Sequence, residues 1–436
     1  MLSRLYINSF RNISEITIEE LATVNVVLGP NGAGKTSLFE AIFTLAHGRS
    51  FRRFGGKRDA LVSLSAEQLL IYGEVIGITQ QLVSMGEGGV VFDEPETAKF
   101  VRHKIGLSKS RMGETRIKRN GAAVRRLSEI TELLPIIAIN ADTFDLLSGP
   151  PQERRSFLDW SVFHVEHSYK DDVRAFARAL AQRNALLRSL AREGAVGRIG
   201  EETQFSNERS ALNKSVKSEL AIWTSALASA GERLDLRRRE VFGLLNSEFK
   251  RVLAALGLES FSLSLSYRRG WDAKANLEDA LRSSEQVDAA RGFTSVGPHR
   301  CDVQITTEID GERRLARDVM SRGQLKLTVF ALKLSQLSLL PRLRSTEIES
   351  VVSQGGERPN VQRGMQPEGS LLLLDDVAAE LDPTKLQTLG AIISGVEGVQ
   401  VFVNGTTEVL LAPFLEPFEA RSVQIKKFHV EHGCLR

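Results

Sequence analysis

Hydrophobic positions along the chain follow two different periods, and the change from one to the other divides the sequence. Up to about residue 145, apolar residues alternate with polar ones or form short runs between turn residues, which predicts short strands. Gly86-Glu87-Gly88-Gly89 and Asn120-Gly121 read as hairpin turns in that stretch. One helical pattern interrupts it, Ser37-Leu38-Phe39-Glu40-Ala41-Ile42-Phe43. From about 153 to 256 the period becomes helical: Val173 to Leu180 continues through Leu186-Leu187 and Leu190 at helical spacing. A second helical region runs from about Glu208 to Leu256, and Gly194 to Gly200 reads as the turn at the tip of an antiparallel arm. Period two returns at Phe261 to Tyr267. Residues 346–370 carry Gly, Gln, Glu and Pro with almost no apolar periodicity and read as a disordered loop. Leu371-Leu372-Leu373-Leu374 then forms an unbroken apolar run, as in a strand buried on both faces of a parallel sheet. The expected organisation is α/β, with an N-terminal lobe over 1–152, a helical arm or lid over 153–290 and a C-terminal lobe over 291–436.

Composition narrows the class. A chain of 436 residues can build two or three units around substantial cores. Its 42% hydrophobic and 25% charged residues are the profile of a soluble globular protein. No apolar run approaches the roughly 20 residues that span a bilayer. Met1 to Ile7 enters a strand-like pattern without the apolar core and cleavage site of a secretory signal. Cys301 and Cys434 are too few and too separated for a disulfide framework or a metal knuckle. The expected compartment is the cytoplasm. A net charge of +3 gives no argument for nucleic-acid binding, which has to rest on local patches.

Three segments carry chemistry. Gly29-Pro30-Asn31-Gly32-Ala33-Gly34-Lys35-Thr36 has the form G-x-x-x-x-G-K-T, between the apolar run Val24 to Leu28 and the helical pattern opened by Ser37. Glycines let backbone N–H groups fold around phosphate oxygens, and the new helix adds its positive end. Lys35 is then placed for the β/γ-phosphates and Thr36 for Mg²⁺. The second segment is the run ending in Asp375-Asp376: Asp375 is a candidate Mg²⁺ ligand and Asp376 a candidate general base for the attacking water. The third is Ser321-Arg322-Gly323-Gln324-Leu325-Lys326, ahead of the helical pattern Val329 to Leu334. On physical grounds it is either an ordinary helix cap or an anion-binding helix start.

These segments, in this order, resemble the RecF family of bacterial gap-repair ATPases related to SMC proteins. Further family-like stretches are Leu5 to Asn12, Gly48 to Arg52, Glu153 to Trp160, Gln182-Arg183-Asn184, Gly297-Pro298-His299-Arg300 and Leu374 to Asp382. The resemblance implies an ABC-type P-loop ATPase head, a mixed sheet with flanking helices, interrupted by the helical arm. It implies ATP and Mg²⁺ as ligands, Arg11 and Asn12 near the nucleotide, and Ser321, Gly323 and Gln324 of one chain closing over ATP held by another. It also implies an ATP-dependent homodimer on double-stranded DNA at gap junctions, with RecR, RecO and RecA as partners, no membrane, and a role in RecA loading and the SOS response. The location it implies is nucleoid-associated. Asn140-Ala141-Asp142 departs from the family's usual Pro and acidic pair, and Cys301 stands where Asp is frequent. Val403-Asn404-Gly405-Thr406 supplies no switch histidine, and Asp376 replaces the usual Glu, which together suit slow hydrolysis. A transport ATPase is the alternative; it would have that histidine and no arm.

Two smaller features remain. Residues 102–126 carry nine Lys and Arg with Glu114 the only acid, and Arg237-Arg238-Arg239 forms a second cluster. Such groups suit DNA phosphates, although a solvated hairpin face reads the same way. Phe163-His164-Val165-Glu166-His167 recurs as Phe428-His429-Val430-Glu431-His432. Its H-x-x-H spacing lacks further metal ligands. The repeat can instead arise in the gene, because TTC-CAC-GTG-GAA-CAC encodes it and contains a palindrome.

Overall fold

The computed structural model describes all residues except 53–60, 80–81, 87–88, 93–98, 167, 197–205, 354–365 and 368. The chain divides into two compact units. One comprises Met1–Phe144, Arg251–Leu258 and Arg322–Arg436; the other comprises Asp145–Lys250 and Glu259–Ser321.

In chain order the first unit opens with β1 (Leu2–Phe10), β2 (Ile13–Ile18), β3 (Val24–Leu28), α1 (Lys35–His47), β4 (Gln68–Thr79), β5 (Leu82–Gly86) and β6 (Gly89–Phe92). It continues through β7 (Lys99–Ser110), β8 (Thr115–Arg119), β9 (Ala122–Ala123), α2 (Ser128–Leu133) and β10 (Ile136–Ile139). The second unit supplies α3 (Asp145–Ser148), α4 (Pro151–Val165), α5 (Tyr169–Val196) and most of α6 (Ser206–Ala255). After these come β11 (Ser264–Arg268), α7 (Leu277–Ser283), α8 (Glu285–Arg291), β12 (Asp302–Ile309), β13 (Glu312–Leu315) and α9 (Ala316–Val319). The first unit resumes with α10 (Arg322–Ser353), β14 (Gln366–Pro367), β15 (Ser370–Leu374), α11 (Val377–Glu380) and α12 (Pro383–Ser394). It closes with β16 (Val399–Gly405), α13 (Glu408–Glu419), β17 (Ile425–Glu431) and β18 (Cys434–Leu435).

Two larger sheets, besides the β5-β6 pair, are described in the first unit. The order β10-β15-β16-β3-β17 is parallel throughout, with β18 added antiparallel at its edge. β3, β15 and β16 are buried at every position, because helices cover both faces of a parallel sheet and leave no room for alternation. The other sheet, β2-β1-β4-β7-β8-β9, is antiparallel and two-sided. Along β7, Ile105 and Leu107 point into the core while Arg102 and Lys104 point out. Helix α1 joins both sheets through one core that includes Leu5, Phe39, Ile42, Ile71, Leu107 and Leu373.

The antiparallel hairpin expected at Asn120-Gly121 is present between β8 and β9, with φ of 50° and 85° at the two turn residues. Two boundaries differ from the sequence reading. The interrupting unit starts at Asp145 and reaches Ser321, so neither 153 nor 290 marks its edge. The reason is pairing: β11 bonds to β12 and β12 to β13, which draws strands placed by sequence in the last lobe into the second unit. Residues 346–370 are also not one loop. Helix α10 continues to Ser353 and β14 pairs with β4; residues 354–365 and 368 lie outside the described residues. The tip expected at 194–200 falls partly on α5, and its remainder lies outside the described residues.

Candidate nucleotide site

The phosphate loop leaves β3 and enters α1, the strand–loop–helix order that its motif requires. Gly29, with φ of +154°, lies against β17: a Cβ there would stand 2.2 Å from the Val430 carbonyl oxygen. The Gly433 N–H donates to the Ala33 carbonyl at 2.8 Å, so the C-terminal strand backs the loop from behind. Lys35 folds its ammonium onto the loop's own carbonyls, 2.8 Å from Gly29 O and 3.0 Å from Pro30 O. Gly34, at φ of +113°, precedes the first turn of α1 without a side-chain cap, which leaves that helix start for an anion. Gly29→Ala is expected to strain this junction by about 2 kcal/mol and to lower the melting temperature. An unchanged Tm would show that β17 moves aside freely.

β15 carries the two carboxylates to the same end of the sheet. Thr36 donates its hydroxyl to Asp375 Oδ1 at 2.8 Å, and Asn404 donates from Nδ2 to the same oxygen at 2.5 Å. Burial pushes the Asp375 carboxyl above its usual pKa, against the opposing pull of the Asn404 and Thr36 hydrogen bonds. A hard divalent cation reverses that balance, and the oxygens of Thr36 and Asp375 are the donors Mg²⁺ prefers. Asp376 sits at φ of 57°, in the left-handed region that Asp tolerates, and its N–H donates to Asn404 Oδ1 at 2.7 Å. Its side chain is exposed, so the carboxylate stands beside the site rather than under it. One asparagine thus fixes both acids.

Sequence reasoning did not single out Asn404 as a site residue; it noted only the histidine that Val403-Asn404-Gly405-Thr406 lacks. The available signal was a lone Asn near the end of the apolar run that forms β16, and the structure buries it fully. Glu40 was missed in the same way. This carboxylate, 0% exposed on α1, accepts two hydrogen bonds of 2.5 Å from the Arg11 guanidinium and another from the Ser50 hydroxyl. Arg11, expected near the nucleotide, therefore directs its guanidinium to Glu40. Asn12 donates to Gly32 O at 3.1 Å and accepts from the Ser37 hydroxyl at 2.7 Å, so it braces the phosphate loop. Asn140 follows β10, whose last residue Ile139 accepts at its carbonyl from the Asp375 N–H at 2.9 Å, and Asn140 Oδ1 accepts from the Thr143 hydroxyl.

Ser321, Arg322 and Gly323 are exposed, and Gln324 is half-buried in the first turn of α10. Lys326, one turn on, pairs with Glu380 and lies 5.3 Å from the Phe144 ring centroid. The Arg237 to Arg239 cluster is otherwise engaged: Arg237 bonds Glu166 and Asp172, Arg239 bonds Asp235, and Arg238 is buried on Asp159 and the Pro298 carbonyl. Each of the three arginines is thus paired with an acid, and Arg239 remains half-exposed. Phe163 to Val165 of the first copy lie in α4, and His167 lies outside the described residues; Phe428 to Glu431 of the second copy lie in β17, with His432 in the turn after it. No group of three metal-ligating side chains occurs among the described residues. A shared structural role is thereby removed for the repeat.

Residues 1–418 match the RecF/RecN/SMC N terminal domain family. The DNA replication and repair protein RecF of Pseudoalteromonas translucida is 31% identical over 435 residues, covering 100% of this chain and 99% of the relative. The same-named protein of Vibrio cholerae is also 31% identical, over 434 residues, with 100% and 99% covered. The chain belongs to the RecF family. Among solved structures, the recombination mediator protein RecF-ATP in the RecFOR pathway aligns with a TM-score of 0.69 at 24% identity, covering 100% of this chain and 96% of that one. An Smc head domain from Pyrococcus furiosus aligns at 0.51 with 14% identity, covering 100% and 95%. Both give the fold: an ABC-type ATPase head with a helical insertion. The transport alternative has no support in these matches, and no helix among the described residues is long and apolar enough to cross a membrane.

Proposed function

We propose that this chain is an ATP-gated DNA clamp of recombinational gap repair. ATP binds at Gly29 to Ser37, with Lys35 turning from its carbonyls to the phosphates and the α1 start facing their charge. Thr36 and Asp375 hold Mg²⁺, which when bound neutralises charge on the phosphates. Asp376 orients and deprotonates water. Its side chain is one methylene shorter than Glu, and a misplacement on that scale can cost on the order of 10²-fold in rate. Slow turnover then serves as a timer. Arg11 and Asn12 stand beside the loop, bonded to Glu40, Gly32 and Ser37.

The observation that carries this reading is the exposed Ser321 and Gly323 on a chain whose own Thr36–Asp375–Asn404 array is assembled. Such an arrangement suits closure by a second copy, with two ATP molecules between two chains. In support, relatives of matching length are named for DNA replication and repair, and a structural neighbour is described with ATP in the RecFOR pathway. RecR, RecO and RecA are the partners this reading assigns. Sedimentation with and without ATP and Mg²⁺ tests it: a dimer is expected only with both, and only that dimer is expected to hold duplex DNA. A dimer that forms equally well without nucleotide sinks the clamp.

A further inference from the structure

The end of the antiparallel sheet presents two large apolar side chains to solvent at one place. Met112, at the tip of the β7–β8 turn, is 95% exposed, and Leu64, in the loop before β4, is 96% exposed. Single exposed apolar residues are ordinary. This pair differs because Arg111 clamps its two loops together. The Arg111 N–H donates to Glu67 O at 3.0 Å, and its guanidinium donates to Ser63 O at 2.9 Å and to Leu64 O. The tip itself is closed by Ser110 N–H to Glu114 O at 2.9 Å and Gly113 N–H to Ser110 O at 3.0 Å. The Leu64 loop is tied back as well, by Ser63 N–H to Ser9 O at 2.9 Å and Arg11 N–H to Leu61 O at 2.7 Å. It is therefore anchored at the corner that braces the phosphate loop.

The surrounding charge says what can cover this tip. Register places Lys118 opposite Gly106 and Arg116 opposite Ser108, on the outward face that also carries Lys104. Val124 N–H bonds Ile117 O, so exposed Arg125 comes beside Arg116 at the same end. Glu114 is the only acid between residues 102 and 126. A polyanion fits this face, and apolar side chains beside a basic face are the means by which proteins pack on or between bases. We propose that Leu64 and Met112 form a wedge that packs on the terminal base pair of a duplex where it meets single-stranded DNA, while Lys104, Arg116, Lys118 and Arg125 hold the duplex phosphates. This rests on the DNA-binding reading and adds to it the element that distinguishes a junction from continuous duplex.

The test compares a continuous duplex with the same duplex interrupted by a single-stranded gap, 2-aminopurine marking the base at the recessed end, in ATP and Mg²⁺. The parent protein is expected to prefer the gapped DNA and to change the 2-aminopurine emission. Leu64→Ser with Met112→Ser is expected to keep binding to continuous duplex while the gap preference falls roughly tenfold, the scale of one base-stacking contact. Arg116→Glu with Lys118→Glu is expected to weaken both DNAs together. A serine variant that retains gap preference overturns the wedge. So does one that loses both DNAs equally, or one that changes only the sedimentation of the protein, which would make the tip a protein interface. Failure of the parent to bind either DNA refutes the clamp reading itself, a different result from loss of discrimination alone.

Discussion

Asp376→Asn is expected to cut ATP hydrolysis by roughly 10²- to 10³-fold, within the range of a general base, while ATP-dependent dimers still form and persist. The reasoning starts from the backbone. Asp376 occupies the left-handed region at φ of 57°, and Asn is among the few residues that tolerate it. Its N–H stays on Asn404 Oδ1, so the substitution removes a proton acceptor without shifting the strand end. Lys35→Ala gives the opposite pattern, losing nucleotide binding and assembly together, because no other cation is contributed by the loop. Single-turnover hydrolysis and sedimentation on the same preparations separate the two. Wild-type hydrolysis by Asp376→Asn would remove this carboxylate from the chemistry. Asn404→Ala belongs between them: it frees both acids at once, so both Mg²⁺ dependence and rate are expected to suffer with the monomer still folded.

The contrast between Asp376 and Asn404 also shows which parts of the site were legible in sequence. The phosphate loop and the Leu371 to Asp376 run announce themselves because their chemistry is local: consecutive residues build the cradle and the strand end. Asn404 and Glu40 did not, because their partners, Asp375 and Arg11, lie 29 residues away in each case. A polar residue in an apolar pattern signals that a partner exists without naming it. The basic clusters failed differently. Arg237, Arg238 and Arg239 look alike in sequence, yet helical geometry buries the Arg238 side chain against Asp159 and leaves that of Arg239 half-exposed on Asp235. The β7–β8 segment kept its outward charges because period two puts alternate residues on one face. The boundary at 290 was misplaced for a related reason: strand patterns after 300 say nothing of which sheet they join, and pairing with β11 decides it.

The same dependence on distant partners sets the largest stability effect in the second unit. Arg183 and Asp288 are both 0% exposed and 2.8 Å apart. Arg183 also donates to Thr224 at 3.1 Å and Thr294 at 2.7 Å, and Asp288 accepts from the N–H and hydroxyl of Ser295 at 2.9 and 2.6 Å. Asn184 Oδ1 holds Thr294 from the neighbouring position. The Gln182-Arg183-Asn184 stretch therefore ties α5 to α6, to α8 and to the segment leading into Gly297-Pro298. Asp288→Ala leaves a buried guanidinium without its counter-charge and is expected to cost about 3–5 kcal/mol, lowering Tm by on the order of 10 °C. Arg183→Met combined with Asp288→Leu removes both charges and is expected to recover much of that loss, since a buried pair replaced by apolar groups is often neutral. Thermal unfolding followed by circular dichroism measures both. If the double variant is no more stable than Asp288→Ala, the threonine and serine hydrogen bonds, rather than the ion pair, hold these helices together. If it recovers stability yet loses DNA binding, the network is retained for the geometry it imposes on the arm.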